Sequence, residues 1–165
     1  MQQIIDSISI RPITAGDDKA LASLIRQVLI EFDANKPGTA FFDKTLDTLS
    51  DVFREAGSGY WVAEEKGVLL GGGGIYPTEG LPEGYCELVK LYVHAHARGK
   101  GIGKKLLNIC FLSAKLAGYT HIYLETIPVL SDAISVYEKL GFTYLAHPLG
   151  NSGHHYCSVR MVKEL

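Results

Sequence analysis

Apolar residues recur along the chain with two periods, one typical of helices and one typical of strands. Five of them follow a helical spacing after an acidic pair at positions 17 and 18: Leu21, Leu24, Ile25, Val28 and Leu29. The segment 35–38 contains Pro and Gly and ends this helix, and a second helix is predicted from Leu46 to about Gly57. The alternating segment 7–13 predicts an edge strand before them, with Pro12 near its end.

Strand patterns dominate the middle of the chain. Residues 60–63 and 68–76 predict two strands joined by a tight turn at Lys66 and Gly67, and residues 77–84 predict a loop. Residues 85–94 predict a further strand. Its alternation changes phase around Val89 and Lys90, which indicates a bulge or bend.

The C-terminal half alternates helices and strands. The pattern predicts a helix over 103–117 with Gly118 as its cap, a strand over 121–126, and a helix over 131–140 that Gly141 ends. Residues 142–146 and 156–162 predict the last two strands. The element order βααβββαβαββ is typical of an α+β fold with a mixed α/β sheet.

Composition narrows the class of protein. The chain has 165 residues, 47% of them hydrophobic, and we expect residues 1–165 to form one domain. A net charge of −2 argues against a nucleic-acid binder. No segment has the length and apolarity of a membrane span, and residues 1–12 lack the pattern of a secretory signal. Three widely spaced cysteines predict reduced thiols in the cytoplasm.

The segment 98–107 has the most specific pattern of functional residues in the chain. It places glycines at positions 99, 101 and 103 between a strand and a helix, and Arg98, Lys100, Lys104 and Lys105 add positive charge. Glycines and free amides at a helix start are typical of a phosphate site. The nucleotide P-loop is disfavoured because Lys104 is followed by lysine and not by Ser or Thr. A dinucleotide fingerprint is also disfavoured, because the third glycine comes one residue early.

The spacing RGxGxGxxL after a strand resembles the pyrophosphate loop of the GNAT superfamily of acetyl-CoA-dependent N-acetyltransferases. Residues 87–93 look like the family's fourth strand, and residues 133–142, with Tyr137 four positions before Gly141-Phe142, resemble its following helix. The likeness covers residues 60–142. It implies a central twisted mixed sheet of about seven strands with about four helices, in which the fourth and fifth strands splay apart.

The resemblance implies how acetyl-CoA binds as co-substrate, with no metal. The glycine loop would bind the pyrophosphate, through Arg98, Gly99, Lys100, Gly101, Ile102, Gly103 and Lys104. The backbone of Leu91, Tyr92 and Val93 would bind the pantetheine arm. The amide of Val93 would also polarise the thioester carbonyl. Leu130 stands where many members have an asparagine that contacts this arm.

The resemblance also implies direct acetyl transfer to a primary amine of a small molecule or peptide. Tyr137 matches the tyrosine that protonates the departing thiolate. The amine must lose a proton, and Glu87 is the preferred base because a carboxylate within a sheet is costly unless it is paired or used. Its alternative role is a salt bridge to a neighbouring cation. Glu125 is the second candidate base.

Other assignments stay open. A non-catalytic domain of the same fold that binds or senses acyl-CoA is the alternative function. In this fold residues 32–43 and 146–156 usually frame the acceptor, so Asp33 and Asp43 are candidates to attract a cationic amine. The histidine pairs 94/96 and 154/155 lack a spaced partner for a metal, and we expect them in loops. Homodimers are common among similar proteins, but no feature here decides the oligomeric state.

Overall fold

A computed structural model describes residues 7–165 of the chain. Residues 1–12 were predicted to lack a secretory signal, and residues 1–6 of that segment lie outside the described residues. Seven strands form one sheet in the spatial order β1-β2-β3-β4-β5-β7-β6. The strands are β1 (Ile8–Pro12), β2 (Gly59–Glu65), β3 (Val68–Tyr76), β4 (Tyr85–Val93), β5 (His121–Thr126), β6 (Thr143–Leu145) and β7 (Val159–Glu164). The helices are α1 (Asp18–Glu31), α2 (Leu49–Val52), α3 (Ile102–Leu116) and α4 (Ser131–Lys139).

The sheet is mixed, as the sequence predicts. β4 and β5 are parallel, and every other neighbouring pair is antiparallel. The parallel pairing covers only residues 85–87 of β4 against residues 121–123 of β5. Beyond Glu87 the two strands separate, so the sheet opens into a cleft at its centre.

A bulge in β4 accompanies this opening. Gly74 of β3 pairs with Val89, but Gly72 pairs with Tyr92, so Lys90 and Leu91 together oppose the single residue Gly73. Lys90 has a φ of +51°. The predicted change of phase at Val89 and Lys90 is therefore confirmed as a β-bulge, which bends the strand away from its neighbour.

The glycine run of β3 makes room for β2. A Cβ on Gly72 would lie 2.6 Å from a ring carbon of Tyr60, and one on Gly74 would lie 2.4 Å from the carbonyl oxygen of Gly59. Tyr60 is buried, and its hydroxyl donates to the carbonyl of Lys90 across the sheet at 2.7 Å. The glycines of β3 therefore allow the close packing of β2 against this strand.

Helices cover both faces of the sheet. On one face α1 and α2 pack with β2 through Leu21, Ile25, Leu49 and Val62. On the other face α3 and α4 pack with β4 and β5, through a cluster that includes Leu107, Cys110, Ile122 and Tyr137. The apolar stripe of each long helix thus faces the sheet, as its spacing predicts. None of the helices in residues 7–165 combines the length and apolarity needed to cross a membrane.

Two sequence predictions are wrong in extent. The helix expected from Leu46 to about Gly57 is a 3-10 turn (Leu46–Thr48) followed by the single turn of α2. The chain leaves the helix at Phe53, whose ring packs against Tyr60 with centroids 5.0 Å apart. The last strand runs over Val159–Glu164 and not over 156–162, because its register is set by pairing with β5.

Candidate active site

The cleft between β4 and β5 leads to the start of α3. Tyr92 and Val93 pair with β3, and none of residues 91–93 pairs with β5. At the far end of this segment the chain makes a 3-10 turn, Ala95–Ala97, and then enters the glycine turn. The strand edge and the glycine turn predicted to bind one ligand are therefore continuous.

The glycine turn presents free backbone amides. Gly99 and Gly101 have φ values of +80° and +77°, and a Cβ on either would meet no atom within 4 Å. No backbone N–H from Gly99 to Lys104 donates to the backbone of another described residue. Six amides at a helix start, with open space before them, form a cradle for an anion.

Arg98 is engaged elsewhere. Its amide donates to the carbonyl of Ala95 at 3.4 Å, and its guanidinium pairs with Glu31 at 2.6 Å. The same guanidinium lies 5.1 Å from the ring centroid of Phe32 and donates to the carbonyl of Val93 at 3.1 Å. The free part of the cradle therefore begins at Gly99, and Arg98 joins it to α1.

Glu87 lies at the point where β4 and β5 separate. It is 4% exposed, and one carboxylate oxygen accepts the hydroxyl of Thr78 at 2.7 Å. The alternative role as a salt bridge finds no support, since no cation of the described residues pairs with it. Burial raises the pKa of Glu87 to about 7, and the charge of Glu125 adds to that rise. A carboxylate in this state gains and loses a proton near neutral pH.

A small cavity joins Glu87 to Glu125. It has a volume of about 60 Å³ and is closed on one side by Leu29 of α1. Its other walls come from strand and loop residues that include Leu88, Lys90, Tyr92, Ile127, Leu130, His154 and Cys157. The Glu125 carboxylate accepts the hydroxyls of Tyr123, at 2.7 Å, and of Ser152. Both candidate bases thus face one cavity beside the cleft.

Comparison with known proteins decides the family. Residues 24–142 match the model of the acetyltransferase (GNAT) family. The chain is an acetyltransferase of this family. It is 43% identical over 157 residues to the uncharacterized N-acetyltransferase YjgM of Escherichia coli K12, and the match covers 94% of this chain and 93% of that protein.

Solved structures share the fold. An acetyltransferase of the GNAT family from Staphylococcus aureus has a TM-score of 0.85 at 21% identity, with 95% of this chain and 98% of that chain covered. The PaiA N-acetyltransferase from Thermoplasma acidophilum, solved in complex with coenzyme A, has a TM-score of 0.75 at 20% identity, with 96% and 99% covered. The expected seven-stranded GNAT fold with a splayed central pair is therefore confirmed.

Tyr137 of this acetyltransferase lies on α4 with its side chain buried. Its ring makes an edge contact with Phe142 at 5.6 Å between centroids. Burial raises the pKa of Tyr137 above its ordinary value, so the phenol stays protonated at neutral pH. Its hydroxyl donates no hydrogen bond to a side chain or backbone group within residues 7–165, so it is available to a ligand.

One cluster in the acetyltransferase joins residues that the sequence analysis did not connect. The ammonium of Lys90 donates to Asp43 at 2.7 Å, and Nε2 of His154 lies 2.9 Å from the same carboxylate. Burial alone would raise the pKa of Asp43, but the hydrogen bond from His154 and the charge of Lys90 outweigh it and lower the pKa. The carboxylate of Asp43 is thus paired with side chains of the protein itself. Asp33, the other candidate to attract a cationic amine, pairs with Lys36 at 3.4 Å.

The remaining candidates do not assemble into a site. No group of three His, Cys, Asp or Glu side chains in residues 7–165 is placed to hold a metal. His94 and His96 pack on each other with ring centroids 4.3 Å apart. Burial raises the pKa of Cys110 and of Cys157 to about 12, so both remain thiols. His154 lines the cavity and lies within the segment 146–156 that was predicted to frame the acceptor. Cys157 also lines the cavity, one residue beyond that segment, and the sequence gives no signal that places it there.

Proposed function

We propose that this acetyltransferase moves the acetyl group of acetyl-CoA directly to a primary amine of a small molecule or peptide. The observation that carries the proposal is the buried carboxylate of Glu87 where β4 and β5 separate, in the lining of a cavity that also contains Glu125. Residues 1–165 would act as one N-acetyltransferase domain. The raised pKa values of Cys110 and Cys157 argue against an acyl-enzyme.

The glycine turn fits a pyrophosphate. The six amides from Gly99 to Lys104 have no backbone acceptor among the described residues, and the glycines with positive φ allow an anion to approach closely. Lys100 and Lys104 are exposed beside the turn and add positive charge. The PaiA structure with coenzyme A, of the same fold, supports this ligand class.

The strand edge fits the pantetheine arm. Leu91, Tyr92 and Val93 lack a β5 partner, so backbone groups on the β5 side of this segment are available for hydrogen bonds like those of an added strand. The Val93 carbonyl is the exception, because it accepts the Arg98 guanidinium. Bound acetyl-CoA supplies the activated acetyl group at this edge. The amide of Val93 would hold the carbonyl oxygen of that group.

Two side chains would move protons. Glu87 takes the proton from the attacking amine, because its pKa of about 7 lets it accept a proton near neutral pH. Glu125 is the second candidate for this role. Tyr137 donates its phenolic proton to the departing thiolate, since it is protonated at neutral pH and has no described hydrogen-bond acceptor of its own.

Charge in the cavity favours a cationic acceptor. Neither Glu87 nor Glu125 has an ion pair within the described residues, whereas Lys90 is neutralised by Asp43. Arg160 stands opposite Glu125 in the β5–β7 register, yet no salt bridge joins them there. An ammonium group therefore finds two uncompensated carboxylates. The free thiols of all three cysteines fit the reducing cytoplasm as the site of action.

The test is calorimetric titration with acetyl-CoA, with ATP and NAD as controls, followed by a screen of amines that detects release of the CoA thiol. Gly101→Glu is expected to abolish binding, because it places a carboxylate in the anion cradle. Gly118→Glu is the matched control: Gly118 also has a positive φ and open space, but lies at the other end of α3.

Tyr137→Phe separates chemistry from binding. We expect acetyl-CoA affinity close to that of the wild type and a kcat at least about 100-fold lower. Binding of acetyl-CoA without transfer to any amine would favour the alternative, a non-catalytic acyl-CoA sensor. Full activity in both Gly101→Glu and Tyr137→Phe would refute the assignment.

A further inference from the structure

Lys90 adopts an unusual backbone conformation inside a strand. Its φ of +51° lies in the left-handed region, which non-glycine residues adopt rarely. Asp33 and Lys66 share this property, but both lie in turns between elements. Such a conformation persists only where the surroundings hold the residue in place. At Lys90 the conformation forms the bulge that leads into residues 91–93, which have no β5 partner.

Two buried contacts hold Lys90 from opposite ends. Its carbonyl accepts the Tyr60 hydroxyl at 2.7 Å, which anchors the backbone to β2. Its ammonium donates to Asp43 at 2.7 Å, which anchors the side chain to the segment after α1. The Lys90 side chain is only 12% exposed, so this ion pair is shielded from solvent.

Asp43 also holds the loop between β6 and β7. Both of its carboxylate oxygens lie within 3.0 Å of Nε2 of His154. The two segments meet again where the amide of Tyr156 donates to the carbonyl of Gly38 at 3.2 Å. One carboxylate therefore links the bulge of β4, the segment after α1, and the loop that carries Ser152 to Glu125.

We propose that Asp43 is a positioning residue for acetyl transfer, which fixes the β4 bulge through Lys90 and holds the β6–β7 loop over the acceptor cavity through His154. This inference rests on the proposed function. Asp43 acts through Lys90 and His154 and contacts no reacting atom. It aligns the strand edge that receives the thioester with the wall of the cavity that receives the amine, and misalignment by about 1 Å is enough to lower a rate about 100-fold.

The kinetic test uses Asp43→Asn, which keeps the size of the side chain and removes its charge. We expect kcat to fall about 10- to 100-fold and the KM of the amine to rise, while the Kd of acetyl-CoA stays within about threefold. Unchanged kcat and KM in a folded variant would overturn the proposal. A loss of acetyl-CoA affinity as large as the fall in kcat would also overturn it. Such a loss would indicate a general structural defect that also disturbs the glycine turn.

Lys90→Gly provides a variant that folds without strain. Glycine accepts the positive φ, so the backbone is relieved while the tether to Asp43 is lost. We expect a kcat at least about tenfold below that of the wild type. Lys66→Gly is the matched control, since Lys66 has the same φ of +51° in the exposed β2–β3 turn. Equal kcat values for the two variants would contradict the tether.

A readout without substrate separates this inference from the proposed function. Hydrogen exchange of residues 150–157 should be faster in Asp43→Asn than in the wild type, and unchanged in Lys66→Gly. A wild-type protein that acetylates no amine would refute the proposed function but leave this link measurable. Identical exchange in Asp43→Asn and the wild type would refute the link itself.

Discussion

Replacing Glu87 by glutamine should make the protein more stable and less active. The side chain is 4% exposed, and its pKa is raised to about 7 from an ordinary value of 4.5, mainly by burial. A carboxyl group with a raised pKa favours the folded state when it is protonated. Its ionisation therefore costs stability as the pH rises.

The pH window follows from these two values. Below pH 4.5 the group is protonated in both states, and the folded protein bears no cost. Between 4.5 and 7 only the unfolded chain ionises, so stability falls, and above pH 7 the full cost of about 3 kcal/mol is reached. Glutamine is neutral at every pH. The stability gained by Glu87→Gln should therefore grow by about 2–3 kcal/mol between pH 5 and pH 8.

Urea unfolding followed by the fluorescence of Trp61 measures this difference, because Trp61 is the single tryptophan of the chain. The change with pH is the informative quantity, since any cost of burying the amide is the same at both pH values. Thr78 can still donate its hydroxyl to the amide oxygen. Glu83→Gln, in an exposed loop, controls for the loss of one negative charge.

The same variant tests the role of Glu87 in transfer. If Glu87 is the base, kcat/KM of the wild type rises with pH through about 7, and the glutamine variant loses about 100-fold or more. A stability difference that does not change between pH 5 and pH 8 would refute the raised pKa. Full activity in Glu87→Gln would transfer the assignment to Glu125, with Glu125→Gln as the next variant.

Two further predictions concern stability. Gly74→Ala brings a Cβ to 2.4 Å from a backbone carbonyl of β2 and should lower the free energy of unfolding by about 1–3 kcal/mol, whereas Gly16→Ala, with no atom nearer than 3.8 Å, should leave it nearly unchanged in the same urea titration. Asp17→Asn breaks the buried pair with Arg11 at 2.7 Å and should cost about 1–3 kcal/mol at pH 7. The hydrogen bond from Arg11 lowers the pKa of Asp17 below 3.8, so this cost should shrink as the pH falls from about 4 toward 2. Unfolding at pH 7 and pH 3 checks it, with a smaller loss expected for Asp47→Asn in an exposed pair.

Local patterns predicted the parts of the site that are contiguous in sequence. The glycine turn, the helix after it and the bulge at Lys90 each depend on neighbouring residues, because φ preferences and helix starts are local properties. The glycines and basic residues of segment 98–107 therefore predict a phosphate site, and in the structure the amides of Gly99 to Lys104 have no backbone acceptor among the described residues. The assignment of residues 98–104 to a pyrophosphate came from the family resemblance and stays a prediction. The length of the second helix was beyond such reasoning, since Phe53 leaves the helical path for a ring contact with Tyr60.

The acceptor side depends on long-range register. Glu87 and Glu125 approach one another because parallel pairing sets Glu87 beside Tyr123, two residues before Glu125. Asp43 meets Lys90 across 47 positions and His154 across 111. No spacing rule within one element encodes those contacts. The segments 32–43 and 146–156 were predicted to frame the acceptor, but the ion pair that neutralises Asp43 emerges only when both segments fold against β4.

The cradle proposed for the cofactor is made of backbone amides in one short segment, so few single side-chain changes outside its glycines can abolish it. The cavity proposed for the acceptor is lined by residues from five separate segments, and Asp43 pairs with the one ammonium in that lining, that of Lys90. Removing Asp43 would leave that ammonium free beside Glu87. An Asp43→Asn variant should therefore lose preference for cationic amines as well as rate, and a shift of the amine profile toward neutral or anionic acceptors would show that the same carboxylate sets both geometry and charge.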